Sequence, residues 1–229
     1  MYWFYEQGIR GSMSMISNRY AKANNNISKL TPTSLGANYD PSKKSTYVQN
    51  LDANNLYGAS MREPLPTKDF RWLTEDEVED LELNAEAFVP FPQRVGYILE
   101  ADLDYPKKFH FLHNDYPLAP EHLTLDDMSE PVPNSKAKGI SKLIPNHYHK
   151  EKYILNYTTL FYLRHGLKVR KIHRGIRYTE TDFLRRCIEF KTEKRTQAVS
   201  DFEKDFHKLM NNAPYGKSFE NVRNRQALG

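Results

Sequence analysis

Apolar and polar residues alternate in several stretches of this chain, and such alternation is typical of β-strands that bury one face. Four strands are predicted, over residues 47–51, 96–104, 152–157 and 167–178. The first is expected to end near Asp52, and Gly175 interrupts the last. Because the four stretches are short and bounded by turn residues, they favour an antiparallel sheet.

Other stretches predict short helices. Residues 9–23 are expected to run from a loop into a helix, and residues 54–61 to form a helix that two prolines stop. Thr74 followed by Glu77 has the spacing of a capping box at a helix N-terminus. Residues 158–165 are expected to form a helix capped by the glycine that follows them.

From about Thr181 the pattern becomes helical to the end of the chain. One apolar stripe is expected to comprise Ala198, Phe202, Phe206 and Leu209. A break is expected over residues 212–216, because they contain Pro214.

The strands and the late helices together predict an α+β fold. Residues 24–44, rich in Asn, Ser, Thr and Pro, and the proline-rich residues 113–147 are expected to be irregular.

Composition is that of a globular protein, with 39% hydrophobic and 27% charged residues among 229. Cys187 is the single cysteine, which excludes a disulfide framework and a thiolate zinc cluster and fits a reducing compartment. No apolar stretch reaches the ~20 residues of a membrane span, and the first residues do not resemble a signal peptide. The sequence therefore predicts an intracellular protein without a membrane partner, and leaves nucleus, mitochondrion and cytoplasm undecided.

Charge is unevenly distributed although the formal net charge is only +4. Residues 62–86 are acidic, with most of their carboxylates between 75 and 86, and residues 164–195 are basic. A basic run suits a polyanion such as a nucleic acid, and a solvated surface explains either run equally well.

Asp52 is the first candidate for chemistry, since a carboxylate at a strand end beside a turn can ligate a hard cation such as Mg²⁺. A turn or helix-capping role is the more common use of such an Asp. A second candidate is the helical face of Lys204, Lys208 and Asn211 or Asn212, which suits a triphosphate. Intrahelical ion pairs on a solvated helix explain that spacing as well.

Three weaker candidates remain. The turn at Arg10-Gly11-Ser12 is small enough to approach a nucleic-acid backbone, although an ordinary turn is the simpler interpretation. Asp102 and Asp104 share one face of a strand, as a carboxylate pair or as exposed side chains. Four histidines, His110, His113, His147 and His149, match no zinc signature and are better explained as structural or surface residues.

Four segments, in order, resemble protein-primed family B DNA polymerases of the kind found in Polinton/Maverick elements, linear plasmids and related viruses. Motif A is resembled by residues 51–66, LDANNLYGASMREPLP. Motif B is resembled by residues 208–225, KLMNNAPYGKSFENVRNR. Residues 8–25 resemble the segment that joins exonuclease and polymerase domains, and residues 165–195 the stretch leading into the fingers.

The resemblance implies a nucleotidyl transfer site. Asp52 would ligate Mg²⁺ or Mn²⁺ with the Ala53 carbonyl, and Tyr57 would stack under the incoming sugar and exclude a 2′-hydroxyl. Lys208 would act as a catalytic residue by holding the triphosphate. Lys204 and one of Lys194 or Arg195 would assist Lys208 in holding the triphosphate. The nascent base pair would be lined by Asn212, Tyr215 and Gly216. The template strand would be contacted by Arg10, Gly11 and Ser12. Expected partners are a DNA template and primer, dNTPs and a terminal protein primer.

The resemblance also implies an organisation: a linker over 1–46, a palm with an irregular insertion over 47–180, and helical fingers with motif B over 181–229. The Asp pair of motif C is absent from the sequence after Lys208. We therefore expect a polymerase fragment, a partial palm of antiparallel sheet and helices plus helical fingers, that is inactive alone. The alternative is a decayed or co-opted remnant that only binds nucleic acid, and an unrelated scaffold with solvated charges is the third possibility.

Overall fold

The main sheet is antiparallel and has four strands, β1 Leu65–Trp72, β2 Val95–Asp104, β5 Lys150–Asn156 and β6 Lys168–Thr181. In space the strands lie in the order β1-β6-β2-β5. The computed structural model describes residues 1–11, 13–25, 39–84, 94–124, 141–218 and 220. A separate two-stranded sheet pairs β3 Glu121–Thr124 with β4 Ser141–Ile144.

Six α-helices and two short 3₁₀ helices accompany the strands in the described residues. The α-helices are α1 Tyr2–Gln7, α2 Leu56–Arg62, α3 Glu75–Leu83, α4 Phe161–Arg164, α5 Arg185–Gln197 and α6 Asp201–Ser218. The 3₁₀ helices are Lys107–Phe109 and Tyr157–Leu160. The α+β prediction is confirmed, and no helix in the part of the chain described is long and apolar enough to cross a membrane.

Both faces of the sheet carry apolar side chains, because residues alternate along β2. Leu99, Ala101 and Leu103 belong to the larger buried cluster, which includes Leu81 from α3. On the other face Ile98 packs in a smaller cluster with Phe4 from α1. The larger cluster is therefore the core of the described protein.

The predicted strands 96–104, 152–157 and 167–178 are confirmed by β2, β5 and β6, and every strand end lies within three residues of its predicted position. β6 is the longest strand and pairs with β1 on one side and β2 on the other. Gly175 packs tightly there, since a Cβ would lie 2.7 Å from side-chain carbons of both Leu73 and Leu99.

The predicted strand over 47–51 is wrong, because residues 44–53 have no regular structure. A strand needs a neighbour for its backbone groups, and Tyr47, Val48 and Leu51 are all exposed. The expected helix within 9–23 is also wrong, since its described residues form neither helix nor strand.

The short helix predicted over 54–61 is confirmed by α2, and the helix predicted over 158–165 by a 3₁₀ turn followed by α4. Gly166 has φ +100°, the left-handed conformation expected after a helix. Thr74 and Glu77 form the predicted capping box of α3. Residues 113–147 were expected to have no regular structure, and this is wrong for β3 and β4, which pair there. Residues 125–140 lie outside the described residues.

The loop expected over 24–44 is confirmed at both described ends, where the Asn24 side chain bonds to the backbone of Asp40, Lys43 and Lys44. Residues 26–38 lie outside the described residues.

The helical region after Thr181 is interrupted between α5 and α6, and not at the predicted residues 212–216. α5 ends at Gln197, with Ala198 as its extended C-cap, and α6 begins at Asp201. The predicted stripe therefore loses Ala198, while Phe202, Phe206 and Leu209 all lie on α6. Ser200 caps α6 by accepting from Glu203 N at 3.2 Å, while Glu203 accepts from Ser200 N at 3.4 Å. The predicted break over 212–216 is wrong, since α6 continues through Pro214 to Ser218.

Candidate functional site

The candidate site is built on α2, which leads directly into β1. Asn55 precedes α2 with φ 57°, a left-handed conformation that Asn tolerates better than most residues. Gly58 is buried against the Asn55 side chain, where a Cβ would lie 2.4 Å from the amide nitrogen. Met61 is buried and anchors the helix, while Tyr57, one turn earlier, is 46% exposed.

The helices α5 and α6 pack side by side next to α2. Ile188 of α5 and Asn211 of α6 are the buried residues of this pair. Asn211 Nδ2 donates to Thr192 Oγ1 at 3.4 Å, while its buried Oδ1 has no partner among the described residues. The sequence left Asn211 and Asn212 open as alternatives for one face, and Asn211 turns toward α5.

A lysine explains why α6 continues through Pro214. Proline has no N–H, so the carbonyl four residues earlier, that of Met210, loses its helical donor. Lys191 Nζ donates to Met210 O at 2.9 Å and replaces it. The continuous helix carries Tyr215 and Gly216 on its last turn.

An ion pair joins α2 to α5. Arg62 Nη2 lies 3.0 Å from Glu189 Oε1, and both side chains are about half exposed. Because both side chains are half exposed, the pair contributes little stability in water. Sequence reasoning missed it, because nothing in the spacing of the two residues relates them.

The tyrosines of the two resembled motifs are in contact. The rings of Tyr57 and Tyr215 have centroids 4.0 Å apart and an interplanar angle of 11°. Tyr57 is exposed and Tyr215 half buried. Parallel rings of this kind stabilise a contact by about 0.5–1.5 kcal/mol beyond burial, so the stack links α2 to α6.

The predicted triphosphate lysines lie on α6 and are exposed. Lys204 Nζ pairs with Asp201 Oδ1 at 3.2 Å, whereas Lys208 forms no ion pair with any described residue. Asn212 is half buried, and Gly216 has open space where a Cβ would stand. Tyr215, Lys208 and Asn212 therefore share a side of α6 next to Tyr57.

The two cations on α5 differ in surroundings. Lys194 is exposed, with Nζ 5.6 Å from the centroid of the Phe190 ring. Arg195 is half buried. Both lie in the last turn of α5, where cations also stabilise the helix dipole.

Asp52 and Ala53 lie in the irregular segment just before α2, and both are exposed. Asp52 forms no ion pair within the described residues. No group of three or more His, Cys, Asp or Glu side chains is placed to hold a metal ion in the described ranges. One exposed carboxylate falls short of the ligand set of a two-metal site.

Arg10 lies against β5 rather than in the helical layer. Its guanidinium stands 3.7 Å from the centroid of the Tyr153 ring and donates to the carbonyls of Gly8 and Ile154. Burial lowers the pKa of Arg10, and its Nε has no hydrogen-bond partner among the described residues. Gly11 is exposed, and Ser12 lies outside the described residues.

An apolar cleft of about 640 Å³ opens beside Tyr215. Its walls come from α1, α2, β1, the end of α6 and the sheet face that carries the smaller buried cluster. The lining residues include Tyr2, Met61, Phe70, Ile98, Phe183 and Pro214. The volume is in the range of small-molecule sites. Sequence reasoning missed the cleft, because its residues come from six separate segments.

A buried carboxyl lies where β1 and β6 meet, between the end of α2 and the start of α5. Glu180 Oε2 accepts from the Tyr157 hydroxyl at 2.8 Å, and burial raises the pKa of Glu180. The Tyr178 hydroxyl accepts from Asn156 Nδ2 at 2.8 Å in the same network. The network fixes this end of the sheet beneath the two helices.

The weaker candidates from the sequence have structural partners. Asp102 binds His173 Nε2 at 2.8 Å and accepts from Lys152 N, and Asp104 lies 3.2 Å from His149. His110, His113 and His147 surround the buried ring of Tyr105, with centroids 5.1–5.7 Å away.

Comparison with known proteins gives a structural similarity and no sequence match. No family model matches the chain, and no curated protein matches it. A solved structure of Phi29 DNA polymerase is similar at 15% sequence identity and a TM-score of 0.44, over 74% of this chain. The chain spans about a quarter of that protein, 26% of its length.

Proposed function

We propose that this chain is the palm-and-fingers part of a protein-primed family B DNA polymerase, in which α2, α5 and α6 hold an incoming dNTP beside DNA. The contact between Tyr57 and Tyr215 carries the proposal. The two residues lie far apart in the chain, and each was assigned to a nucleotide site from its own motif. Their rings stack at 4.0 Å, which supports one shared site.

The described side chains suit nucleotide binding. Lys208 has an exposed ammonium group without an ion pair among the described residues, and Lys204 stands one turn earlier. Both would hold the triphosphate, with Lys194 or Arg195 from α5 assisting. Tyr57 would lie under the sugar, and Asn212, Tyr215 and Gly216 would line the base pair. Phosphoryl transfer depends on such positioning and charge cancellation.

Asp52, with the Ala53 carbonyl, would hold a Mg²⁺ or Mn²⁺ ion, which supplies positive charge to the phosphates when bound. The described residues offer this single carboxylate there, so they do not make a complete two-metal site. The remaining ligands would have to come from outside this chain. We therefore expect no DNA synthesis by this chain alone, and Asp52-dependent primer extension by it would contradict that expectation.

Partners follow from the same proposal. A DNA template and primer would lie along the basic residues of 164–195 and the segment of Arg10, Gly11 and Ser12. A terminal protein would supply the first primer hydroxyl. The proposal also includes an organisation into a linker over 1–46, a palm over 47–180 and fingers over 181–229. It places the protein inside the cell.

Calorimetric titration of the chain with dATP and Mg²⁺ tests the nucleotide site. Lys208→Ala removes a charged contact to phosphate, and its loss should weaken binding about tenfold. The matched control is Lys107→Ala, which removes an exposed lysine of the first 3₁₀ helix and should leave affinity unchanged. Equal affinity in wild type and Lys208→Ala would reject the site.

DNA binding separates a polymerase fragment from a binding module. The binding module predicts salt-sensitive binding of primer–template DNA without any binding of dATP. That DNA binding should survive Asp52→Asn and fall with Lys204→Ala and Lys208→Ala. Binding of both DNA and dATP favours the polymerase fragment. A chain that binds neither at low salt would be an unrelated scaffold.

A further inference from the structure

Three histidines enclose the ring of Tyr105, where β2 ends and the chain turns toward β3. Tyr105 is 1% exposed, and the ring centroids of His110, His113 and His147 lie 5.1–5.7 Å from its own. His110 and His147 also stack on each other, with centroids 4.6 Å apart and an interplanar angle of 11°. Because two protonated imidazoles at that distance repel each other, the stack favours neutral rings. These three imidazoles are the histidine cluster.

The hydrogen bonds of His147 assign it a neutral tautomer. Its ring bonds to the backbone of His113, while Nε2 is buried and has no partner among the described residues. The bond to His113 therefore involves Nδ1, and Nε2 is the nitrogen without a proton. A proton added to Nε2 would be a buried donor without an acceptor. Burial lowers the pKa of His147, and the charges of His110 and Lys150 lower it further.

The hydroxyl of Tyr105 holds His113 in its neutral form. Tyr105 Oη lies 2.8 Å from His113 Nδ1 and accepts from Leu118 N at 3.2 Å. Donating its hydrogen to Nδ1 satisfies the buried hydroxyl, and this requires an unprotonated Nδ1. Protonation of His113 would leave that hydrogen without an acceptor. Burial lowers the pKa of His113 as well, and the neighbouring histidines add to the effect.

The carboxylates near the histidine cluster are paired with other groups. Glu121 of β3 lies 2.7 Å from Lys150 Nζ, and Asp104 of β2 lies 3.2 Å from His149 Nδ1. His149 gains an ion pair on protonation, but its Nδ1 then loses the backbone hydrogen bond that it accepts, and its side chain is 66% exposed. His165 of α4 faces the cluster and adds positive charge at low pH. No ion pair joins a ring of the cluster to a carboxylate in the described part of the chain, so its protonation is uncompensated.

The histidine cluster lies between the sheet and residues 105–118, which connect β2 to β3. Phe109 of this segment packs on Gly166, where a Cβ would lie 2.2 Å from its ring. The His113 ring stacks on Phe109 with centroids 5.7 Å apart, and Phe109 and Leu118 pack against the larger buried cluster. The charged residues of the segment are exposed, and they are Lys107, Lys108 and Asp115. The contacts of the segment with the core therefore include rings that change charge with pH.

We propose that the histidine cluster is a pH-sensitive lock, which holds residues 105–118 against the sheet when its rings are neutral and releases them when the rings are protonated. The released segment takes up protons at a higher pH than the locked one, because burial disfavours the charged form. The lock is therefore closed above pH 6.5, the ordinary value for histidine, and lost as the pH falls below it.

Release of the segment has a consequence for a neighbouring cavity. Tyr116 of the segment lines a cavity of about 370 Å³ together with Arg10 and Gly11. Opening the lock removes that wall and changes the surroundings of two residues of the proposed template contact. The lock itself does not depend on the proposed function, since none of the residues assigned to nucleotide or DNA belongs to the histidine cluster.

Hydrogen exchange of the whole chain, corrected for the intrinsic effect of pH on exchange, tests the lock. Between about pH 7.5 and about pH 5.5 the protection of amides over 107–118 should fall about tenfold, the effect of one pKa unit between the locked and the released segment. Amides of β2 and β6 should keep their protection. Unchanged protection over 107–118, or an equal loss in the strands, would overturn the proposal.

Two variants and one direct measurement assign the effect to the histidine cluster. His147→Gln cannot be protonated, so the tenfold fall should shrink to about threefold or less. His122→Gln changes an exposed histidine of β3 outside the cluster and should behave as wild type. A His147→Gln fall equal to that of wild type would overturn the proposal. If His147→Gln is already open at high pH, histidine NMR of the wild type decides, because His113 and His147 should titrate below pH 6.5 and their titration at or above 6.5 would reject the lock.

Discussion

The sheet and the layer of α2, α5 and α6 are stabilised in different ways. Leu99, Leu103 and Tyr105 of the sheet core are each 1% exposed. By contrast, α5 and α6 bury only Ile188 and Asn211 among their described side chains. The sheet therefore depends on apolar burial, whereas the helical layer depends on a few specific contacts. Substitutions in the sheet should change global stability, and those in the helices should change the geometry of the candidate site.

The largest expected effect is the loss of a core leucine. Leu99→Ala removes a side chain packed against Leu73 and Gly175 and should lower the free energy of unfolding by about 3 kcal/mol. Leu209→Ala removes the same atoms from an exposed position on α6 and should change it by less than about 0.5 kcal/mol. Urea denaturation measures both variants.

Equal effects of the two alanine substitutions would contradict the comparison between sheet and helices.

The next effect concerns the continuity of α6. Lys191→Met removes the donor to Met210 O and should lower the local free energy of opening of α6 by about 1 kcal/mol. Pro214→Ala restores a backbone N–H to the same carbonyl. In the Pro214→Ala background Lys191→Met should therefore have little effect, and hydrogen exchange of the α6 amides measures the difference.

Lys194→Met on the same helix is the matched control, because Lys194 faces the Phe190 ring instead of α6. If Lys191→Met had the same cost with and without Pro214, the lysine would not be compensating for the proline.

The two regions also differ in how far the sequence predicts them. Alternation located β2, β5 and β6, because local pattern and burial agree there. The same criterion failed for residues 47–51, where no neighbouring strand is available in the described chain. The capping box at Thr74 was predicted, whereas the equivalent Ser200–Glu203 pair was overlooked within an expected helix. Helix continuity through Pro214 could not be predicted, since it depends on Lys191, a tertiary contact.

The candidate site shows the same division. Tyr57 and Tyr215 were assigned to one site by resemblance, and their stacking agrees with a shared location. The roles of Asp52, Lys208 and Arg10 remain predictions. The contacts that fix the helices, Arg62 with Glu189 and Asn211 with Thr192, have no sequence signal, because each joins elements that only the fold brings together.

The smallest expected effect lies where a helix is joined to the sheet. Glu77 of α3 accepts two hydrogen bonds from Arg71 of β1, at 2.7 and 2.6 Å, and caps its own helix through Thr74. These bonds lower the pKa of Glu77 from 4.5 to about 2. Because the side chain is partly exposed, Glu77→Gln should cost less than about 1 kcal/mol at neutral pH.

The pH dependence of that cost has a definite sign. The unfolded chain takes up the Glu77 proton at a higher pH than the folded chain, since folding lowers the pKa. The stability that Glu77 contributes is therefore fully present above pH 4.5 and lost as the pH falls toward 2. Urea denaturation should show wild type and Glu77→Gln converging over that range. A Glu77→Gln difference that stays constant over that range would mean that Arg71 does not stabilise the charged form of Glu77.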